Sequence, residues 1–123
     1  MGKQFHLGDI LSIMTGRLVS PRHIEGVYDI LGYMLDDQLY THQLPRASRE
    51  CQPYLLEQHP QLALVTGEEV TMENWQSWLE ARVREYGEYL EVFPVRPEDV
   101  VHKDPLEELA EMVPPEKIIV VAI

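Results

Sequence analysis

Several side chains that could bind an anion lie close together at the start of a predicted helix. Arg17, Arg22 and His23 flank the turn and the N-terminal end of a helix that Pro21 is expected to open. Backbone N–H groups and the helix dipole favour a negative group at such an end. Together with His42, these residues form a candidate anion-binding site. The alternative is that they are solvated side chains beside a tight turn.

Carboxylates are concentrated in the second half of the chain. Residues 1–60 carry seven acids against five bases, whereas residues 61–123 carry fourteen acids against five bases, and the net charge is −11. Rows of like charge on a helix repel one another, which costs roughly a few tenths of a kcal/mol per pair unless a partner matches them. We predict an acidic partner-binding surface that consists of Glu68, Glu69, Glu73, Glu80, Glu107, Glu108 and Glu111. Carboxylates displayed like phosphates would suit the basic nucleic-acid-binding surface of another protein. The alternative is an acidic surface that only maintains solubility.

The usual motifs of enzymes and cofactor sites are missing from the sequence. It contains no nucleophile elbow, P-loop, dinucleotide fingerprint, HExxH motif or paired CxxC. Its five histidines and the single Cys51 match no zinc-ligand spacing. We therefore predict no catalytic residues, no metal and no cofactor, and Cys51 is interpreted as a small buried hydrophobe.

The charge and the apolar runs exclude two further classes of partner. A net charge of −11 argues against direct binding to nucleic acid, because phosphate contact needs a basic surface. No apolar run approaches the ~20 residues that span a bilayer. The N-terminus also lacks the pattern of a signal peptide, so we expect a cytoplasmic protein.

Six helical segments are expected to position these residues. The apolar spacing and the capping residues predict helices over residues 7–14, 21–35, 45–52, 53–59, 75–86 and 105–113, where the third and fourth are separated only by Pro53. Gly16 and Gly87 are expected to end the first helix and the tryptophan-containing helix. Glu69, Glu73 and Glu80 are placed near one face of the latter.

Three extended segments complete the prediction. Residues 17–19 are interpreted as a brief extended link, with a sheet strand as the alternative. Residues 89–95 are interpreted as a strand, and residues 118–123 as an apolar C-terminal strand covered on both faces. The predicted fold class is α+β: a mainly helical single domain over residues 1–123, with a small sheet that includes the C-terminal strand.

Two stretches of the chain resemble a family of small uncharacterised proteins encoded in phage and prophage genomes. They are HLGDILSIMTGRLVSPRHIEGVYDILGYMLDDQLYTHQLPRASREC, residues 6–51, and DPLEELAEMV, residues 104–113. The positions that stand out are Thr15–Arg17, Pro21–His23 and Thr41–Pro45. The resemblance implies an accessory protein in the cytoplasm of a bacterial host. Such a protein would bind and inhibit a host defence complex of the kind that anti-CRISPR or anti-restriction proteins block.

Two other functions stay open at this point. One is a small ligand-binding or enzymatic domain built around Arg17, Arg22, His23 and His42, which predicts a cleft in which these groups converge. The other is an oligomeric phage assembly component, possible as a homodimer if the C-terminal strand pairs across a two-fold axis.

Overall fold

The computed structural model describes residues 2–100 and 105–112, with side chains as far as residue 109 in the second range. Within these ranges the chain forms five α-helices and a two-stranded sheet, which confirms the predicted α+β class. In chain order the elements are β1 (Lys3–His6), α1 (Leu7–Thr15), α2 (Ile24–Leu35), α3 (Leu44–Gln58), α4 (Trp75–Tyr86), β2 (Tyr89–Val92) and α5 (Pro105–Met112). Short 3-10 turns lie at Thr41–Gln43, Pro60–Leu64 and Pro97–Asp99.

The sheet is an antiparallel pair of β1 and β2, in which Phe5 lies opposite Leu90 and His6 opposite Tyr89. The sequence of β1 carries no clear alternation, which is why it was not predicted. The strand expected at 89–95 ends at Val92. Residues 17–19 form a link, as predicted, and do not form the strand given as the alternative. The predicted strand at 118–123 lies outside the described residues.

Helix α1 forms the centre of the core. Seven consecutive residues, from Leu7 to Ile13, are buried, and α1 packs against α2, α3 and α4. The apolar stripe predicted for α2 is also buried, at Val27, Ile30, Leu31, Met34 and Leu35. None of the helices in the described ranges has the length and apolarity needed to cross a membrane.

Helix α3 is continuous, so the prediction of two short helices separated by Pro53 was wrong. A proline inside a helix removes one hydrogen bond and crowds the preceding turn. Pro53 is exposed, however, and the apolar stripe on the opposite side runs without a break through Ala47, Cys51 and Leu55. The buried stripe therefore holds the two halves in one helix.

Helix α2 begins at Ile24, three residues after the predicted start. The reason is the Ser20 side chain, whose hydroxyl donates to the buried Asp9 carboxylate and also accepts the Arg22 N–H at 3.1 Å. The intervening residues form a turn, and His23 adopts a left-handed φ of 58°. The serine thus connects the turn to α1 and does not cap α2.

The second half of the chain closes the first. Gln58 makes two hydrogen bonds with the backbone of Phe93, at 2.9 and 3.1 Å. The Val95 N–H donates to the Met34 carbonyl at 2.8 Å, and the Tyr33 hydroxyl donates to the Val92 carbonyl at 3.1 Å. Residues 91–95 are therefore held by β1 on one edge and by α2 and α3 on the other.

Candidate functional site

Arg17, the first side chain of the candidate site, follows the end of α1. Gly16 adopts a left-handed φ of 74°, which ends the helix as predicted. The Thr15 hydroxyl accepts the Arg17 N–H at 3.1 Å. A Cβ at Gly67 would lie 2.5 Å from Arg17 Cγ, so glycine lets the connection after Pro60–Leu64 pack against the arginine stem. Arg17 therefore has a packed stem, and as a whole it remains exposed.

Arg49 approaches the same region from α3. Pro45, Ser48, Arg49 and Gln52 are spaced at i, i+3, i+4 and i+7, which places them on one face of the helix. The Gln52 side-chain amide donates to the Ile13 carbonyl at 2.9 Å and so connects this face to α1.

The floor between the two arginines is fixed by one serine. The Ser12 hydroxyl donates to the Gly8 carbonyl at 2.7 Å and accepts the Val19 N–H at 2.9 Å. Because Val19 is buried, the neighbouring Leu18 projects outward and is 48% exposed. Ile24, at the start of α2, is 44% exposed on the same cleft.

These elements enclose a cleft of about 360 Å³, here named the Arg cleft. It is lined by Ser12, Gly16, Arg17, Leu18, Ile24, Val27, Leu44, Pro45, Ser48, Arg49 and Gln52. Among the described residues, Arg17, Arg49 and Arg84 are the arginines that make no ion pair with a carboxylate, and the first two both line this cleft. The Arg cleft therefore combines two unpaired guanidinium groups with exposed aliphatic side chains.

A second cleft, of about 510 Å³, shares Arg17 and Leu18 with the Arg cleft. Its wall includes His23, whose ring packs edge-on against Trp75 with 5.9 Å between the ring centroids. Met72, almost fully exposed, also lines it. The second cleft extends the apolar surface away from Arg17.

Arg22 does not join the Arg cleft, because carboxylates of its own chain bind it. It donates to Asp9 at 2.5 Å and to Asp29 at 3.0 Å. The hydrogen bond to Asp9 is the main cause of the raised pKa of Arg22. A Cβ at Gly26 would lie 2.2 Å from Asp9 Oδ1 and 2.3 Å from Ser20 Oγ, so α2 needs a glycine beside this network.

The four residues of the predicted anion site do not all meet in one cleft: Arg17 and His23 share the second cleft, whereas Arg22 and His42 lie elsewhere. Arg17 lines the Arg cleft, Arg22 is paired internally, and His23 belongs to the second cleft. His42 lies at the other end of α3, where its Nε2 is 2.8 Å from the Pro105 carbonyl oxygen. The prediction that they converge was wrong. It missed Arg49, because only the packing of α3 against α1 brings this side chain to the same cleft as Arg17.

The predicted acidic surface is also divided. Glu68, Glu69 and Glu73 are exposed in the connection before α4, not on that helix, which begins only at Trp75. Glu80 is exposed on α4 and Glu107 on α5, while the side chain of Glu111 is outside the described range.

Glu108 is the clearest correction to that surface. It is 3% exposed and binds Arg46, so it cannot be displayed to a partner while α5 is docked. The helical spacing of Leu106, Leu109, Ala110 and Val113 predicts a buried face on α5. Leu106, however, is 74% exposed. Of the rest of that predicted face, Leu109 is partly buried, and Ala110 and Val113 have no described side chain.

No metal centre is visible in the part of the chain with described side chains, where no three histidine, cysteine or acidic side chains gather closely enough to hold an ion. Cys51 is fully buried, and burial raises the pKa of its thiol to about 12 from an ordinary 9.0. A neutral, enclosed thiol is a packing group and not a nucleophile.

The family model for DUF7736, a domain of unknown function, matches residues 5–65. This stretch is just under half of the chain, and it contains every residue that lines the Arg cleft. The chain is therefore similar to that family over the region that forms the cleft. No curated protein and no solved structure gives a significant match.

Proposed function

We propose that this protein is a binding module that holds an anionic ligand in the Arg cleft. The observation that carries the proposal is the pairing state of two exposed arginines. In a chain of net charge −11, Arg17 and Arg49 have no carboxylate partner among the described residues and line one cleft. In so acidic a chain, an exposed guanidinium group has many carboxylates with which it could pair. Two guanidinium groups that remain unpaired at one cleft therefore favour the binding of an external anion.

The side chains around the arginines define the ligand further. Guanidinium groups bind carboxylate and phosphate oxygens through two parallel hydrogen bonds. Leu18 and Ile24 leave aliphatic surface beside them. The best-matched ligand is therefore a phosphate or carboxylate joined to a short apolar group.

The composition of the Arg cleft favours binding over catalysis. Its lining, within the described chain, includes no carboxylate, histidine, cysteine or lysine. General acid–base catalysis needs a group that can accept or release a proton near neutral pH. The Ser12 hydroxyl is already engaged with two backbone groups. These features support a role in recognition.

Titration with two simple probes tests this proposal. Inorganic phosphate and butyl phosphate are added to the wild-type chain while backbone amide shifts are followed by NMR. Arg17→Ala and Arg49→Ala should each weaken butyl phosphate binding about tenfold, because each removes a charge-assisted hydrogen bond. Butyl phosphate should bind at least about tenfold more tightly than inorganic phosphate, since each buried methylene contributes about 0.8 kcal/mol.

Arg84→Ala is the matched control. Arg84 is exposed, has no carboxylate partner among residues 2–100 and 105–109, and lies on α4 outside the Arg cleft. Arg84→Ala changes the net charge by the same amount as the other two substitutions, and it should alter the affinity for butyl phosphate less than twofold. Equal weakening by all three substitutions would show a nonspecific charge effect and would contradict the proposal.

A second candidate function rests on the connection before α4. Glu68, Glu69 and Glu73 are exposed there, on both sides of the almost fully exposed Met72, and they make no ion pair within the described part of the chain. Acidic groups around an apolar side chain suit a basic protein surface. We propose this segment as the contact through which the protein would inhibit a host defence complex, as the resemblance to phage-encoded proteins implies.

Phage plating on bacteria with an active restriction or CRISPR system tests this second function. If the proposal is right, expression of the wild-type chain raises plating efficiency, and combined Glu68→Gln, Glu69→Gln and Glu73→Gln abolishes the gain. A control variant neutralises three exposed acids elsewhere, Glu25, Glu57 and Glu91. No gain with the wild-type chain, or equal loss in both variants, would contradict it.

A further inference from the structure

The N-terminal end of α3 holds a carboxylate with a set of converging donors. Arg46 Nε donates to Glu108 Oε1 at 2.6 Å, and Arg46 Nη2 donates to Glu108 Oε2 at 3.0 Å. The Gln43 side-chain amide donates to the same Oε2 at 2.8 Å. Two-point contact by a guanidinium fixes the direction of a carboxylate as well as its charge.

The donors are held in place by their own part of the chain. Glu50 accepts from Arg46 Nη1 at 2.8 Å, and the Gln43 side-chain oxygen accepts the Tyr40 N–H at 3.0 Å. The side chain of Arg46 is only 14% exposed. The pKa of Arg46 is raised, chiefly by its hydrogen bond to Glu108. Gln43 and Arg46, here named the clamp, therefore form a preformed carboxylate-binding site within residues 5–65.

The helix in this clamp is α5, and polar contacts account for much of its attachment. His42 Nε2 lies 2.8 Å from the Pro105 carbonyl oxygen, so the first turn of α5 is held at a backbone group as well as at Glu108. Leu106 is mostly exposed and Leu109 is only partly buried. A buried ion pair adds little net stability once desolvation is counted, so a helix held in this way can be exchanged.

We infer that Arg46, Gln43 and His42 form a docking site for the first turn of an acidic helix, and that α5 occupies it in cis as a replaceable ligand. Only residues 101–104 separate Val100 from α5. A short connection of this kind keeps the attached helix at millimolar effective concentration. An acidic helix of the same chemistry, supplied by another molecule, can therefore bind only when the contact of Glu108 is weakened.

The test uses the full chain and a fluorescent peptide with the sequence of residues 104–113, followed by anisotropy. Glu108→Gln in the chain weakens the cis contact and opens the site. This variant should bind the peptide at least tenfold more tightly than the wild-type chain does. The same peptide carrying Glu108→Gln should bind at least tenfold more weakly than the unaltered peptide.

Glu80→Gln in the chain is the matched control, because it removes the same charge at an exposed position on α4, away from the docking site. Its peptide affinity should equal that of the wild-type chain. Hydrogen exchange gives a second measurement: the amides of α5 should exchange faster in the Glu108→Gln chain and at the wild-type rate in the Glu80→Gln chain.

If the Glu108→Gln chain does not bind the peptide even at millimolar concentration, the inference is overturned, whatever the rates of hydrogen exchange are. Equal peptide affinity in all three chains would also overturn it, since the clamp would then not decide binding. Neither result depends on the anion affinity of the Arg cleft, so this inference and the proposed function can fail separately.

Discussion

The two halves of this chain differ in charge and in structural role. Residues 1–60 are nearly neutral and form α1, α2 and α3, the main core and the Arg cleft, whereas residues 61–123 carry fourteen acids against five bases. The strongly acidic total therefore comes from the second half and conceals a cationic cleft in the first. A net charge describes the average field of a molecule, while pairing decides which individual charges are available to a ligand.

The halves also depend on each other unequally. The stretch matched by the family model, residues 5–65, contains most of the core but leaves β1 without a neighbouring strand. Residues 89–95 supply that strand and satisfy polar groups of α2 and α3. The second half therefore acts as a structural complement to the first.

Removing the second half should have the largest effect on the stability of the fold. A fragment of residues 1–66 should fail to fold, because β1 would be an unpaired edge and the sites of Val92 and Val95 in the core would be empty. Circular dichroism and the dispersion of amide NMR signals measure this. A cooperatively unfolding, well-dispersed fragment would show that the two regions are independent.

Gly26→Ala should destabilise the first region by about 3 kcal/mol, because its Cβ would collide with two buried polar atoms of the Asp9–Ser20 network. Urea unfolding gives the free energy. The control is Gly32→Ala in the same helix, whose Cβ meets only the Asp37 carbonyl oxygen at 3.2 Å. That variant should stay within about 1 kcal/mol of wild type, and equal losses would contradict the network.

Cys51 gives the first region a pH dependence of known sign. Its folded pKa, about 12, lies above the ordinary 9.0, so the native state keeps a proton that the unfolded state releases. Stability should therefore fall as pH rises from 9 towards 12, by about 1.4 kcal/mol per unit for this group. In denaturant unfolding of Cys51→Ala, the free energy of unfolding should fall less steeply with pH over this range, by that amount per unit. Identical slopes would place the thiol outside the core.

The smallest effect is expected in the second region. Combined Glu68→Gln, Glu69→Gln and Glu73→Gln should change the free energy of unfolding by less than about 0.5 kcal/mol, because these side chains are exposed and make no ion pair where the structure is described. Thermal unfolding measures it. A loss of several kcal/mol would mean that the acidic connection supports the fold.

Sequence patterns predicted the parts of the structure that depend on local spacing. The stripe of α2, the left-handed cap at Gly16 and the end of α4 at Gly87 all follow from residue type and periodicity. The continuity of α3 could not be predicted in this way, because its interior proline is tolerated only through the packing of the opposite face of the helix. The strand β1 is fixed by its pairing with β2, which no local pattern shows.

The candidate site was predicted least well, since pairing is a tertiary property. Arg17 and Arg22 look alike in the sequence, yet Arg22 is bound by Asp9, thirteen residues earlier. Glu108 looks like a surface acid, yet Arg46 binds it from a distance of 62 residues along the chain. Only the folded chain distinguishes the cations and acids that remain available.

The central claim is that the Arg cleft, and not the overall charge, binds anions. Mapping amide shifts of the wild-type chain during titration with butyl phosphate tests it most directly. We expect the largest saturable changes in amide shift at Arg17, Leu18, Ile24, Ser48 and Arg49, with little change around Arg84. Shifts centred on Arg84, or the absence of any saturable shift, would contradict it.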